Sequence, residues 1–354
     1  MCKRTLLSKF SKIRSYLPAF LYGAIFMKHK VFVDGQEGTT GLQIRERLAH
    51  HPEVQVIDID PNKRKDLAAR KASLNEADIA FLCLPDDAAR EAVTLVDKGN
   101  ARTRILDAST AHRTHANWVY GLPELNTQQR EKLKNATRVA VPGCHASGFL
   151  LLMHPLVANG IVPNDYPVAC HSLTGYSGGG KKMIAQYEVP GRSREPLSAP
   201  RHYALGLTHK HLPEMQHYAG LAFAPNFNPI VGDFYKGMAV CIPLETRLLA
   251  KPRSAKDVHG FFSDYYARER WVKVMPFDDA ANLEEGFFNP LPTNNTNRND
   301  IFVFGNAERM LIISRLDNLG KGASGAAIQN MNILLGVDEA EGLQALPMTG
   351  SLAQ

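Results

Sequence analysis

One cysteine stands where a nucleophile is expected. Arg138-Val139-Ala140-Val141 is a short apolar strand and Pro142-Gly143 turns the chain. Cys144-His145-Ala146-Ser147-Gly148-Phe149 then opens a helix, whose apolar run reaches Val157 and stops at Gly160. Unpaired N–H groups and the positive end of the helix dipole at such a start favour a thiolate. The same N–H groups suit an oxyanion on a substrate held by that sulfur. Against this stands the ordinary role of a free cysteine, a small buried hydrophobe. Histidine titrates near neutral pH. His209 and His211 lie two apart and share a face if their segment is extended, and Glu214 follows as a group that could orient one of them. Arg113, Arg192, Arg194 and Arg201 are candidates for anionic groups, since guanidinium binds carboxylate and phosphate bidentately. Ser109 and Arg113 are the better placed, because they follow a strand end.

Alternating strands and helices must position these residues. Lys30 to Asp34 is an apolar strand that runs into Gly35-Gln36-Glu37-Gly38-Thr39-Thr40-Gly41 and then a helix, Leu42 to His50. Strand, glycine-rich turn and helix in that order make a phosphate cradle, here spaced G-x-x-G-x-x-G. Gly35, Gly38, Thr39, Thr40 and Gly41 are its cofactor-binding candidates. In the next strand, Val54 to Asp60, Asp58 or Asp60 falls about 20 residues on, where an acid often holds a ribose hydroxyl. Lys63, Arg64 and Lys65 follow and could instead meet a 2′-phosphate, which favours NADP over NAD.

Ile79 to Leu84 is a continuous apolar strand, Pro85 starts a helix, and Arg104 to Asp107 is a further strand. The expected fold class is α/β: a Rossmann-type, doubly wound parallel sheet over 28–145, completed by the C-terminal segment 318–354. A second, α+β and mostly antiparallel catalytic and oligomerisation domain spans 146–317. Its expected strands are Pro167–Ser172, Lys236–Thr246, Trp271–Pro276, Ile301–Phe304 and Met310–Leu316. In Asn318–Gly325, which opens the last helix, Lys321 and Gly322 are candidates for cofactor contact.

Composition excludes several functions. The net charge of +6 is concentrated in residues 1–30, which carry no acid, so the rest gives no support to nucleic-acid binding. The five cysteines contain no C-x-x-C pair, which argues against zinc or a redox dithiol and fits a reducing cytosol. Residues 1–27 are basic and then apolar, too short for a membrane span, and read as a dispensable extension ahead of the first strand.

Taken together, Asp34-Gly35…Gly38-Thr39-Thr40-Gly41, Tyr120-Gly121-Leu122-Pro123-Glu124-Leu125, Pro142-Gly143-Cys144, Ser177-Gly178-Gly179-Gly180, His209-Lys210-His211…Glu214 and Gly320-Lys321-Gly322-Ala323 resemble the N-acetyl-γ-glutamyl-phosphate reductase family in its shorter form. The match covers nearly all of 28–336, with His145 where many relatives carry tyrosine. The resemblance implies an NADP-dependent enzyme of arginine biosynthesis with a small-molecule substrate, working as a homo-oligomer, dimer or tetramer. It implies Cys144 as the nucleophile that displaces phosphate from an acyl phosphate, giving a thioester that hydride reduces to the semialdehyde. It inclines the acid/base role to His211, with Glu214 in the catalytic set and Ser109, Arg113 and His209 facing substrate. Competing readings are a related reductase resembling aspartate-semialdehyde dehydrogenase, and a dinucleotide-binding sensor with Cys144 as a redox switch.

Overall fold

The computed structural model describes residues 28–343 apart from 37, 192 and 194. The N-terminal extension, Arg192, Arg194 and the end of the C-terminal segment lie outside the described residues.

The first layer is a parallel sheet. Its elements run β1 (His29–Asp34), α1 (Thr39–Ala49), β2 (Val54–Ile57), α2 (Leu67–Glu76), β3 (Ile79–Leu82), α3 (Asp86–Leu95), β4 (Arg104–Asp107), β5 (Val119–Tyr120), α4 (Gln129–Lys134) and β6 (Arg138–Ala140). The strands lie in the order β2-β1-β3-β4-β6-β5. Apolar runs without alternation belong in such a sheet because both faces are covered. Val31, Val33, Ile79, Phe81 and Val139 fill one face and Phe32, Ala80, Leu82 and Ala140 the other. The chain leaves β2 on one side of β1 and returns as β3 on the other. The reversal opens a crevice at the carboxyl ends of β1 and β3, where ligands bind in this architecture.

The chain continues with α5 (Cys144–Ala158), β7 (Ala169–Gly175), α6 (Gly180–Tyr187), α7 (Glu195–Ser198), β8 (Arg201–His202), α8 (Leu212–Ala219), β9 (Asn226–Gly232), β10 (Met238–Glu245), α9 (Ala255–Tyr265), β11 (Val272–Val274), β12 (Asn299–Gly305), β13 (Arg309–Leu316) and α10 (Gly325–Leu335). The second sheet has the order β11-β12-β13-β10-β7-β9-β8. It is mixed, since β11 runs parallel to β12 and β7 parallel to β9. The helix α5 is apolar all round and correspondingly buried. Its Phe149, Leu150 and Met153 join Val240, Ile242 and Ile312 of the second sheet in the largest core. The final helix α10 returns to the first sheet, where Ala326, Ile328 and Met331 pack with Val31 and Val33. No helix among the described residues is long and apolar enough to cross a membrane.

Three local readings differ from expectation. The helix α1 begins at Thr39, directly after Gly38, instead of at Leu42. The strand β2 ends at Ile57, so Asp58 and Asp60 lie beyond it. Strand β9 escaped notice because Pro229 reads as a break. It is tolerated because β8 pairs only with Val231 and Ile230, and the Pro229 carbonyl accepts from the Tyr203 N–H, so no donor is needed there.

A fully buried ion pair ties the turn that leads into α10 to the loop after β5. Lys321 Nζ donates to both Glu124 oxygens at 2.7 and 2.8 Å and to Gln329 Oε1 at 2.6 Å. Burial raises the Glu124 carboxyl, but the Lys321 charge and the hydrogen bonds from Lys321 and Gln329 outweigh it and hold it below the usual range. Lys321→Met would strand a buried carboxylate, and the expected loss is about 3–5 kcal/mol of unfolding free energy in urea titration. A loss under about 1 kcal/mol would show that the pair is dispensable.

Candidate active site

Glycine sets the approach to Cys144. Gly143 caps α5, and a Cβ there would lie 2.4 Å from His211 Nε2 and 2.5 Å from Arg113 Nη1. On the other side, a Cβ on Gly322 would come within 2.7 Å of the Cys144 Cβ. Cys144 thus sits at the helix start, against the turn before α10. It opens on a small cavity of about 150 Å³ shared with Arg113, Lys210, His211, Ser177 and Asn318. Thr39 and Thr40 of α1 reach the same cavity, which joins the glycine-rich turn to the cysteine.

The electrostatics differ from the sequence expectation. Burial pushes the Cys144 thiol up to about 11, against the opposing pull of the His145 N–H and the charges of Arg113 and Lys210. The helix start does favour the thiolate, as anticipated, but desolvation is the larger effect. The histidines are displaced the other way. Burial, helped by neighbouring charge, lowers His209 to about 4, His145 to about 3 and His211 well below its usual value. The resting site at neutral pH is therefore a thiol beside neutral imidazoles.

His209 and His211 do not lie on an extended segment. The chain turns, with the His211 N–H donating to His209 Nδ1 at 3.2 Å and the Leu212 N–H to the His209 carbonyl. His211 caps α8. The two rings still meet edge to face at 4.7 Å, and His145 lies 5.5 Å from each. His211 is buried, and its Nδ1 has no hydrogen-bond partner among the described residues. His145 is held between Ser172 Oγ at 2.7 Å and the Tyr203 hydroxyl at 2.8 Å, a pairing for which the sequence carries no signal.

Glu214 does not orient a histidine. Its Oε1 accepts from Arg113 Nη1 at 2.6 Å, and its Oε2 accepts from the Tyr120 hydroxyl at 2.6 Å and from the Gly143 N–H at 3.2 Å. Arg113 is fixed further by donating to the carbonyls of Val141 and Ala108. Three other expected contacts are also reassigned. Ser109 donates its hydroxyl to Asp107 Oδ2 at 2.8 Å and does not line the cavity, because the loop after β4 folds back on that carboxylate. Lys321 is enclosed with Glu124, so its ammonium is withheld from any cofactor, while Gly322 next to it does line the cavity. Arg201 is committed to the Tyr187 hydroxyl at 2.8 Å.

A groove of about 690 Å³ lies at the carboxyl ends of β1 and β3, lined by Asp34, Gly35, Gly38, Arg64, Lys65 and Arg70 among others. Gly35 has φ +84°, and a Cβ there would strike the Cys83 carbonyl at 2.3 Å, so the turn needs glycine. Gly41 packs inside the turn, where a Cβ would lie 2.6 Å from the Gly35 carbonyl. The groove suits a dinucleotide: bare backbone at the turn, the N-terminus of α1, and the cations Arg64 and Lys65 in its lining. Arg70, unnoticed in the sequence, bridges Asp34 at 2.9 Å and Glu91 at 2.9 Å along one wall.

Comparison with known proteins agrees with this arrangement. Residues 30–136 match the family model for the semialdehyde dehydrogenase NAD binding domain, and 144–318 that for the semialdehyde dehydrogenase dimerisation domain. N-acetyl-gamma-glutamyl-phosphate reductase 2 of Nostoc sp. is 47% identical over 322 residues, covering 89% of this chain and 99% of that protein. The protein of the same name from Pseudomonas putida is 45% identical, covering 88% of this chain and 98% of that protein. Among solved structures, aspartate semialdehyde dehydrogenase II of Vibrio cholerae superposes with a TM-score of 0.64 at 15% identity, over 87% of this chain and 98% of that one. The Candida albicans aspartate semialdehyde dehydrogenase with NADP gives 0.58 at 16% identity, over 87% and 98%.

The raised thiol makes a prediction for the free protein. Alkylation of Cys144 by iodoacetamide should be slow at neutral pH and climb about tenfold per pH unit towards 10, as the thiolate fraction grows. A rate already at its plateau below pH 8 would mean a preformed thiolate–imidazolium pair.

Proposed function

Because the chain belongs to the N-acetyl-γ-glutamyl-phosphate reductases, a branch of the semialdehyde dehydrogenases, we propose that it reduces N-acetylglutamyl 5-phosphate to N-acetylglutamate 5-semialdehyde, reversibly, through a thioester on Cys144. The observation that carries this reading is the cavity in which Cys144, at the start of a buried helix, meets the neutral ring of His211.

His211, and not His209, is the acid/base of this reading. It lines the cavity, whereas His209 stands outside it and accepts the His211 backbone N–H. A neutral imidazole next to a protonated thiol takes the thiol proton as sulfur attacks the acyl carbon and phosphate departs. The first-turn N–H groups of α5, which lack helical partners, face the charge that grows on the carbonyl oxygen. Gly35, Gly38, Arg64 and Lys65 would hold a nicotinamide dinucleotide, which would supply the hydride that reduces the thioester to the thiohemiacetal. The His211 imidazolium gives its proton to the new alkoxide, then takes it back as the C–S bond breaks, and Cys144 is reprotonated. Arg113, clamped by Glu214, keeps donors for an anionic substrate group.

Within the nicotinamide dinucleotides, the groove favours NADP. Arg64 and Lys65 line it, while Lys63 does not. Asp58 is held by Arg45 at 2.7 Å, Asp60 accepts the Asn62 N–H at 2.9 Å, and neither acid lines this groove. A homo-oligomer fits the second sheet, whose face opposite α5 carries Phe302, Ile313, Cys241 and Phe304.

The direct test is phosphate-dependent oxidation of N-acetylglutamate 5-semialdehyde. Cys144→Ser should abolish turnover and leave dinucleotide affinity near wild type; substantial residual turnover would exclude the covalent route. Replacing Arg64 and Lys65 by alanine should lower the NADP-to-NAD ratio of kcat/KM at least about tenfold, the effect of one charge-assisted hydrogen bond. An unchanged ratio would remove the structural argument for NADP.

A further inference from the structure

The cavity around Cys144 contains two cations, and they are not equivalent. Arg113 is neutralised by Glu214 and hydrogen-bonded on three sides. Lys210 lines the same cavity, is exposed, and has no hydrogen-bond or ion-pair partner among the described residues. Asp86 feels its charge, but that carboxylate accepts from both the hydroxyl and the N–H of Thr110. The histidines on either side of Lys210 are neutral. Among the described residues that line this cavity, Lys210 is therefore the one cation not held in an ion pair.

The substrate of the proposed reaction brings two anionic groups. The carboxylate lies three carbons away from the acyl carbon. The phosphate is bonded to that carbon and, doubly charged, must lie beside the attacking sulfur. It must also leave. A compact ammonium on a flexible stem binds phosphate as a point charge and can follow the group as it departs.

We propose that Lys210 is the phosphate-binding residue of this site: its ammonium holds the phosphoryl group of the acyl phosphate and, in reverse, the inorganic phosphate that attacks the thioester. This rests on the reductase reading above. In the forward direction the C–O bond to phosphate breaks as the C–S bond forms, and Lys210 offsets the charge on the departing oxygen without moving a proton. In reverse, a phosphate oxygen bonds to the thioester carbon and the C–S bond breaks.

The reverse direction separates the two anions, because phosphate and semialdehyde are then distinct substrates. Lys210→Met should raise the KM for inorganic phosphate at least about tenfold and leave that for N-acetylglutamate 5-semialdehyde within about twofold, and Lys210→Arg should recover part of the loss. Without phosphate, the burst of cofactor reduction that accompanies thioester formation should keep its amplitude in Lys210→Met. An unchanged phosphate KM would overturn the proposal. So would a rise confined to the semialdehyde, which would assign Lys210 to the carboxylate, or loss of the burst, which would make its role structural. If wild type shows no phosphate-dependent oxidation at all, the reductase reading fails and this inference with it.

Discussion

The site depends on one buried carboxylate. Glu214, in the first turn of α8, gathers Arg113 from the loop after β4, Tyr120 from β5 and the Gly143 N–H ahead of Cys144. Three segments of the first layer are thereby fixed to a helix of the second. The carboxylate is 1% exposed, so each donor counters the cost of burying its charge, and removal of Arg113 would leave that charge unmatched. His211 immediately precedes the same helix, so the contact that anchors α8 also sets the imidazole against Gly143. Glycine at 143 and 322 is the steric counterpart of this clamp: a methyl group at either position would push the two layers apart around the sulfur.

Burial sets the protonation of the resting site. Desolvation disfavours every charged form, so the thiol stays protonated and the three histidines stay neutral. A protonated thiol is a weak nucleophile, so a cysteine in this state is slow to alkylate or oxidise. Positive charge lines the same cavity, on Lys210 and on the clamped Arg113.

Much of this was legible in the sequence, and the rest was not for identifiable reasons. The apolar runs Lys30–Asp34 and Ile79–Leu84, broken by glycine and proline, announced a parallel sheet, because a strand covered on both faces carries no alternation. The strand-turn-helix around Cys144 was local and therefore readable. Glu214 was seen but wrongly partnered, since its contacts with Arg113 and Tyr120 span 101 and 94 residues. Lys321 was a candidate for cofactor contact because it stands among small residues, yet its partner Glu124 is 197 residues away. The Ser172–His145–Tyr203 chain and the Arg70 bridge likewise join distant segments through common residue types, which leave no local pattern.

We infer that this clamp and its neutral surroundings serve covalent catalysis at Cys144. Intact-protein and peptide mass spectrometry after incubation with N-acetylglutamate 5-semialdehyde and oxidised dinucleotide, in the absence of phosphate, tests it most directly. One N-acetylglutamyl group per chain is expected, located on Cys144 and released when phosphate is added. Cofactor reduction without any adduct, or an adduct on a different residue, would contradict it.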